Sequence, residues 1–411
     1  AAVSLFSLRD VGTMLGVGAV VRVLSALAYA GLVQRFGAGP RRAARLDAII
    51  VLLAGAVSLA AAALGAGEPS RAVALVVVLL SFVLPPLLPL IAFNAIVSLL
   101  AAREARRVLP LVAAAAPRGS VAAGALAAIG SARLGVALSF AGAGAAAILA
   151  APLVLKLGAV APEEQGGAQA EESLWRSLRA TLADVAEVGA VRVVVLFASM
   201  TAMIGALTDF AFKAALKASF DRAEMAAALG VCAMVANGLV LLMQLLVLGR
   251  VASRFGVGRV LLAGPMAMAA MAVGALAMLP LWGAGLLRLG ELILRYGLGN
   301  SVAEVLLVPL GRAMRTRAKI VVKGTASPLG GVVAAAILWP FGADGPTYAT
   351  QVALVLGASA LLAWQMRGAP RAYAGALTRA LRRGRAERIG PDAAGLFRGE
   401  LVRLLEDAVA R

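Results

Sequence analysis

Apolar segments of about 20 residues recur along the chain, and each is long enough to cross the hydrocarbon core of a bilayer as one helix. The mean hydropathy is +0.92, and only 15% of the 411 residues are charged. Ordinary soluble domains are about one-quarter charged, so a soluble fold does not account for this composition. The pattern predicts an all-α polytopic membrane protein with spans near 12–34, 48–67, 72–100, 108–130, 134–156, 190–216, 225–248, 259–281, 284–310, 320–341 and 347–366.

The residue types that the chain lacks exclude several kinds of catalytic and metal-binding site. The chain has no histidine and a single cysteine, which excludes Ser-His-Asp and Cys-His catalysis, histidine-ligated zinc and a disulfide within the chain. Glycine-rich runs such as 119–130 lack P-loop spacing and are typical of close helix packing. We therefore expect no enzymatic activity, no cofactor and no metal.

Arginine and lysine are concentrated in alternate loops. The loops after the first, third, seventh and ninth predicted spans are basic, whereas those near 217–224 and 342–346 are not. Under the positive-inside rule the basic loops face the cytoplasm. We expect a multi-pass protein of a bacterial inner membrane, in contact with its lipids. This topology also explains the net charge of +18 without a nucleic-acid partner.

A polar, glutamate-rich segment divides the chain. We predict an N-terminal membrane half over 1–156, a cytoplasmic linker over 157–189 and a C-terminal membrane half over 190–366. Residues 367–411 carry two amphipathic helical patterns, around 371–381 and 393–410, expected to be cytoplasmic. Residues 1–10 look like the end of an earlier span, which would give two halves of six helices each.

Two short motifs occur once in each half. The sequence GLVQRFG at residue 31 is matched by GRVASRFG at residue 249, and PRGSV at residue 117 by PLGGV at residue 328. Both pairs are separated by about 210–220 residues, so one duplication explains both. Parallel duplicated halves are the plan of the major facilitator transporters, related by an axis along the membrane normal.

Charged residues inside the predicted spans are the candidate site. Asp209 with Lys213, and Glu291 with Arg295, are acid-first pairs at the i,i+4 spacing that brings side chains together on a helix. Arg288 lies one turn before Glu291. These charges either pair internally, which makes them tolerable in a bilayer, or line a cavity where the cations bind phosphate. The residues alone leave both possibilities open.

Arg22 interrupts the first span and has no acid at helical spacing. It is a further candidate for binding an anion in a cavity. The alternatives are a contact with Asp10 or snorkelling of its guanidinium to the membrane surface.

The chain resembles the nucleotide transporter (ATP:ADP antiporter) branch of the major facilitator superfamily. The GLVQRFG motif at residue 31 resembles the superfamily's loop between its second and third spans, with Gln34 in place of an acid. Four further stretches resemble the branch itself: RD at 9–10, REARR at 103–107, DFAFKAAL at 209–216, and the run from ELILRY at 291 through EVLLVPL at 304 to RAK at 317.

The resemblance implies a transporter that moves a nucleotide or similar phosphorylated anion by alternating access. It implies that Arg22, Lys213, Arg288 and Arg295 bind the substrate. It also implies gating or charge-pair roles for Arg9, Asp10, Asp209, Glu291, Glu304, Lys319 and Lys323, although the branch often has an acid where this chain has Lys323. The C-terminal helices resemble the start of a helical-repeat region, so a soluble regulatory domain is an expected partner.

Two other functions fit the same sequence. One is proton-coupled export of a small solute, for which Asp209, Glu291 or Glu304 would carry the proton. The other is a sensor or scaffold that has the facilitator fold and does not transport.

Overall fold

The structure, a computed structural model, describes a helical protein over most of its second half and parts of its first. The described residues are 17–18, 20–22, 24–25, 28–29, 32, 40–64, 118–125, 137–160, 189–244, 257–299, 306–307, 318, 321–341 and 345–382. These residues contain helices and turns and no strand.

Nine helices are named here in chain order. They are α1 (Pro40–Leu64), α2 (Ala137–Val160), α3 (Gly189–Ser219), α4 (Arg222–Leu242), α5 (Val257–Leu276), α6 (Pro280–Leu292), α7 (Ser327–Leu338), α8 (Tyr348–Met366) and α9 (Ala369–Arg382). A π-helical segment, Ile293–Gly299, continues α6, and another, Val322–Ala326, leads into α7. A 3₁₀ turn, Trp339–Phe341, ends α7.

The helix starts follow local chemistry. Pro280 occupies the first turn of α6. Backbone N–H groups in the first turn have no acceptor within the helix, so proline, which lacks an N–H, loses no helical hydrogen bond there. Thr347 caps α8, and its hydroxyl accepts a hydrogen bond from the backbone N–H of Thr350 at 3.4 Å. Gly345 precedes this cap with a positive φ of 69°, a left-handed conformation that glycine adopts without a Cβ clash.

Six helices in the described part of the chain are long and apolar enough to cross a membrane. Large apolar side chains on their surfaces remain exposed, among them Leu53, Leu149 and Trp364 at 60%, 72% and 63%. Such surfaces are unfavourable in water but not in lipid, where the hydrocarbon solvates them. The chain is a multi-pass membrane protein.

The residues form two compact units. One comprises 1–176, 216–235 and 342–344, and the other 177–215, 236–341 and 345–411. The predicted half boundaries and the predicted symmetry of the halves stay predictions.

In the first unit, α1 packs along α2 through glycines. A Cβ on Gly55 would lie 2.8 Å from Ile148 Cγ1, and a Cβ on Gly144 would lie 2.9 Å from the Gly55 carbonyl oxygen. The missing side chains therefore allow the two backbones to approach closely, as in other membrane helix pairs. Tyr29 donates a 2.8 Å hydrogen bond to the buried Asp47 of α1, which satisfies one oxygen of that carboxylate.

In the second unit, α5 contacts α6, α8 and α9. The tyrosine hydroxyl at the start of α8, Tyr348, donates a 2.7 Å hydrogen bond to the carbonyl of Ala275 at the end of α5. The predicted amphipathic pattern around 371–381 is helical and forms α9. The second pattern, around 393–410, lies outside the described residues.

Candidate functional site

Five charged side chains of the second unit form one connected network. Lys213 Nζ lies 2.6 Å from Asp209 Oδ2, and Asp209 Oδ1 lies 3.1 Å from Arg288 Nη2. Arg288 Nη1 lies 2.9 Å from Glu291 Oε2, and Glu291 Oε1 lies 3.1 Å from Arg295 Nη1. Each carboxylate therefore bridges two cations, one on each oxygen. We call these five residues the charge network.

Helical spacing produces three of these four contacts. Asp209 and Lys213 are one turn apart on α3, and Arg288 and Glu291 are one turn apart on α6. Glu291 and Arg295 are four residues apart across the junction of α6 with its π-helical continuation. π-helical turns are rare and are often found at functional sites. Both predicted i,i+4 pairs are therefore present as ion pairs.

The fourth contact joins two helices. Arg288 of α6 reaches Asp209 of α3, and its Nη1 also donates a 3.3 Å hydrogen bond to the backbone carbonyl of Gly205. Arg288 thus holds α6 against α3 through a carboxylate and a carbonyl. This bridging role was not predicted from the sequence.

Gly205 is a site residue that the sequence analysis missed. A Cβ at this position would lie 2.5 Å from Arg295 Nη1 and 2.6 Å from Glu291 Oε1, so the ion pair occupies the space of the absent side chain. The spacing in the sequence could have indicated this residue, because Gly205 precedes Asp209 by four residues and therefore lies on the same face of α3 as Asp209 and Lys213.

The network has three cations and two carboxylates, a surplus of one positive charge. Glu291 is 3% exposed, whereas the side chains of Lys213, Arg288 and Arg295 retain 25%, 21% and 19% of their surface. Removing one partner of a buried pair is costly because it leaves a charge without compensation. The acids therefore hold the cations in place, and the cations stay partly accessible.

A small cavity of about 40 Å³ adjoins one end of the network. Glu291 and Arg295 form part of its wall, together with residues of α3, α5 and α8. Lys213, Asp209 and Arg288 are not among its lining residues. The guanidinium carbon of Arg295 lies 5.1 Å from the centroid of the Tyr296 ring, a cation–π distance.

Other predicted site residues are not part of this network. Arg22 is half-buried and lies in the first unit, where its backbone carbonyl accepts a 3.0 Å hydrogen bond from Ser25 Oγ. The backbone of Lys323 lies in the π-helical segment before α7, and its side chain lies outside the described part. Arg9, Asp10, Glu304 and Lys319 also lie outside the described residues.

Within the described ranges, no three His, Cys, Asp or Glu side chains are close enough together to hold a metal ion.

No protein-family model matches the sequence, and none of the curated proteins is similar to it in sequence. Solved structures are similar in fold. The crystal structure of the nucleoside transporter NupG is 14% identical, with a TM-score of 0.58 over 89% of this chain and 91% of that one. The chain has the major facilitator fold.

Two other solved structures with this fold represent different states. The inward-open xylose transporter XylE from E. coli is 15% identical, with a TM-score of 0.54 over 85% of this chain and 84% of that one. The transporter FucP in its outward conformation is 14% identical, with a TM-score of 0.52 over 88% of each chain. At this level of identity the similarity concerns the fold, and it confirms the predicted fold class.

Proposed function

We propose that this protein is a membrane transporter for an anionic, phosphate-bearing solute, with nucleotides as the first candidates. The observation that carries the proposal is the charge network, which has a surplus of positive charge. It lies on α3, a helix long and apolar enough to cross a membrane, and on α6 with its π-helical continuation. Ionisable residues at membrane depth are costly and typically mark substrate or ion pathways.

The chemistry of the cations suits phosphate. A guanidinium has five N–H donors and an ammonium has three. Among the described residues, Arg295 makes one ion pair, with Glu291, and Lys213 makes one, with Asp209. Each therefore has donors left for a ligand. Arginine is suited to two-pronged contact with phosphate and lysine to a point-charge contact.

Binding of an anion to the network would also change the contacts between α3 and α6. Arg288 connects α6 to α3 through Asp209 and the Gly205 carbonyl. A phosphate that bonds to Lys213 or Arg288 competes with Asp209 for the same donors, and so weakens the link between the two helices. A ligand shifts a conformational equilibrium only through such differential contacts. In this scheme, binding of the anion changes the balance between inward-facing and outward-facing states.

Replacing Lys213 or Arg295 by glutamine is expected to weaken nucleotide binding by about tenfold or more, since a hydrogen bond to a charged group contributes about 1.5–3 kcal/mol. Arg295→Gln leaves Glu291 paired with Arg288, so the protein should stay folded. Thermal stabilisation of the purified protein by ATP, ADP and AMP measures the affinity, because specific binding raises apparent stability by mass action. Arg367→Gln, at the exposed end of α8, is the control for loss of one positive charge.

Adenosine separates this proposal from phosphate-free transport of a nucleoside, the substrate named for NupG. Stabilisation by adenosine equal to that by ATP would mean that phosphate is not recognised. Unchanged nucleotide affinity in both glutamine variants, with a lowered melting temperature, would make the network purely structural. Binding without uptake into proteoliposomes would favour a sensor, and uptake driven by a pH gradient would favour proton coupling.

We further propose that the linker 157–189 and the C-terminal helices face the cytoplasm of a bacterial inner membrane, on the side of the basic loops. Cysteines introduced at Ser173 of the linker and at the exposed Thr378 of α9, in a background where Cys232 is replaced by alanine, should not react with a membrane-impermeant maleimide in intact cells. The same cysteines should react in inside-out vesicles. Efficient labelling of either site from outside would reverse this topology.

A further inference from the structure

Helix α9 lies at one end of the helices of the second unit. It begins three residues after α8 ends, and a Cβ on Gly189, the first residue of α3, would lie 3.5 Å from Ala372 Cβ. α9 also contacts α5. The hydrogen bond from Tyr348 to the Ala275 carbonyl places the start of α8 beside the end of α5, so the start of α5 lies near the end of α8. α9 is therefore located where α8 ends and where α3 and α5 begin.

The length of α8 and its exposed tryptophans place this end at the level of the lipid headgroups. α8 has 19 residues and is about 28 Å long, close to a hydrocarbon thickness of about 30 Å. Trp364 near the end of α8 is largely exposed, as is Trp282 in the first turn of α6. A Cβ on Gly283 would overlap the Tyr348 hydroxyl, so Trp282 lies near the opposite end of α8. Tryptophan is enriched at both membrane–water interfaces, so these two side chains mark the two headgroup levels.

Exposed arginines are concentrated at the end where α9 lies. Arg192 is in the first turn of α3, Arg259 in the first turn of α5 and Arg371 in the first turn of α9, and all three are exposed. α9 contains three arginines and no acid. At the opposite end, the segments 277–282 and 345–348 contain no charged residue. We call Arg192, Arg259 and Arg371 the basic surface.

The two faces of α9 differ in exposure and polarity. Ala369 is fully buried, and Ala372 faces Gly189 of α3. Arg371 and Thr378 are exposed, and residues seven apart lie on the same face of a helix. α9 thus packs on the protein through small side chains and directs Arg371 away from it.

We propose that the basic surface binds the headgroups of anionic glycerophospholipids in the leaflet at this end of the helices. Charge complementarity favours this ligand, because a guanidinium makes two-pronged contacts with phosphate and an anionic leaflet attracts basic segments beside a membrane helix. The level marked by Trp364 favours a lipid over an acidic soluble protein, since lipid phosphates already lie at that level in a membrane.

This lipid site is separate from the charge network. Asp209 follows Gly189 by 20 residues on α3, which is about 30 Å along the helix. None of the three arginines of the basic surface contacts the network. The lipid site therefore does not depend on what the protein transports.

The first test uses the full chain in a neutral detergent with added phosphatidylglycerol or phosphatidylcholine. Phosphatidylglycerol should raise the melting temperature and phosphatidylcholine should not, because specific binding raises apparent stability by mass action. The double variant Arg259→Gln/Arg371→Gln should bind phosphatidylglycerol about tenfold more weakly, or weaker still. Arg41→Gln/Arg42→Gln removes the same charge from exposed positions in the first turn of α1 and should leave the affinity unchanged.

A second test locates the lipid on the unsubstituted chain. The protein is placed in nanodiscs that contain a phosphatidylglycerol analogue with a diazirine on its headgroup, so that both ends of the helices are in contact with the same probe. After photolysis, peptide mass spectrometry should find the label on 257–263 and 369–382 at least fivefold more often than on 277–282 and 345–348.

Equal affinities of the two double variants, or equal labelling of the two ends, would overturn the proposal, because lipid would then respond only to overall charge. Equal stabilisation by phosphatidylcholine would mean that the surface does not select an anion. Stabilisation by soluble glycerol 3-phosphate or by polyglutamate as strong as that by phosphatidylglycerol would identify a free phosphate or an acidic protein as the ligand instead. ATP stabilisation of Arg259→Gln/Arg371→Gln and phosphatidylglycerol affinity of Arg295→Gln should both be normal, so failure of one proposal is distinguishable from failure of the other.

Discussion

Replacing Arg288 by methionine is expected to lower the free energy of unfolding by about 3–5 kcal/mol, the range for breaking a buried ion pair by removing one partner. Arg288 is the only cation in the charge network that contacts both carboxylates. Its loss removes one of the two cations that each carboxylate contacts in the network, and the buried Glu291 keeps only its contact with Arg295 there. It also removes the donor to the Gly205 carbonyl and with it the contacts from this side chain to α3. Denaturation curves of the purified protein measure the change.

Arg295→Met is the matched comparison for Arg288→Met. It removes the same type of side chain from the same carboxylate, Glu291, but leaves Asp209 with both of its cations. Arg288→Met should therefore be clearly the more destabilising of the two. Adding Glu291→Gln to Arg288→Met removes the carboxylate left with one cation, so the double variant should lose less stability than the sum of the singles. Equal losses for the two methionine variants, with additive behaviour in the double, would show that Arg288 does not connect the network.

Gly205→Ala is expected to break the Arg295–Glu291 pair although it adds only one methyl group. The new Cβ would occupy a position 2.5 Å from Arg295 Nη1 and 2.6 Å from Glu291 Oε1, so both side chains must move. Overpacking of this kind typically costs about 1–3 kcal/mol. Because the pair positions Arg295, nucleotide affinity should also fall by about tenfold, the loss expected for Arg295→Gln. Melting curves with and without nucleotide give both quantities.

Gly357→Ala in α8 is the control, because a Cβ there meets no atom within 4 Å. In an open helix interior, alanine is favoured over glycine by roughly 1 kcal/mol. The two glycine substitutions should therefore change stability in opposite directions. A stabilising Gly205→Ala with normal nucleotide affinity would mean that the charge network does not occupy the space beside Gly205.

The sequence predicted the features that depend on residues close together along the chain, namely the helices and the pairs within them. Apolar segments identified the membrane helices, since about 20 consecutive apolar residues have few stable alternatives to crossing a bilayer. The predicted span 190–216 corresponds to α3 and the span 347–366 to α8, within three residues at each end. The Asp209–Lys213 and Glu291–Arg295 pairs were predicted for the same reason: in a helix, spacing along the chain sets which side chains are neighbours.

Tertiary packing decided the rest. Arg288 and Asp209 are far apart along the chain, and the spacing of residues within one helix does not reveal which face of α6 meets which face of α3. For that reason the sequence indicated two separate pairs, whereas the structure has one network with Arg288 at its centre. The space at Gly205 and the cavity beside Arg295 also arise between helices. Chain periodicity thus determined which charges share a helix face, and only helix packing decided which of those charges meet and what space remains beside them.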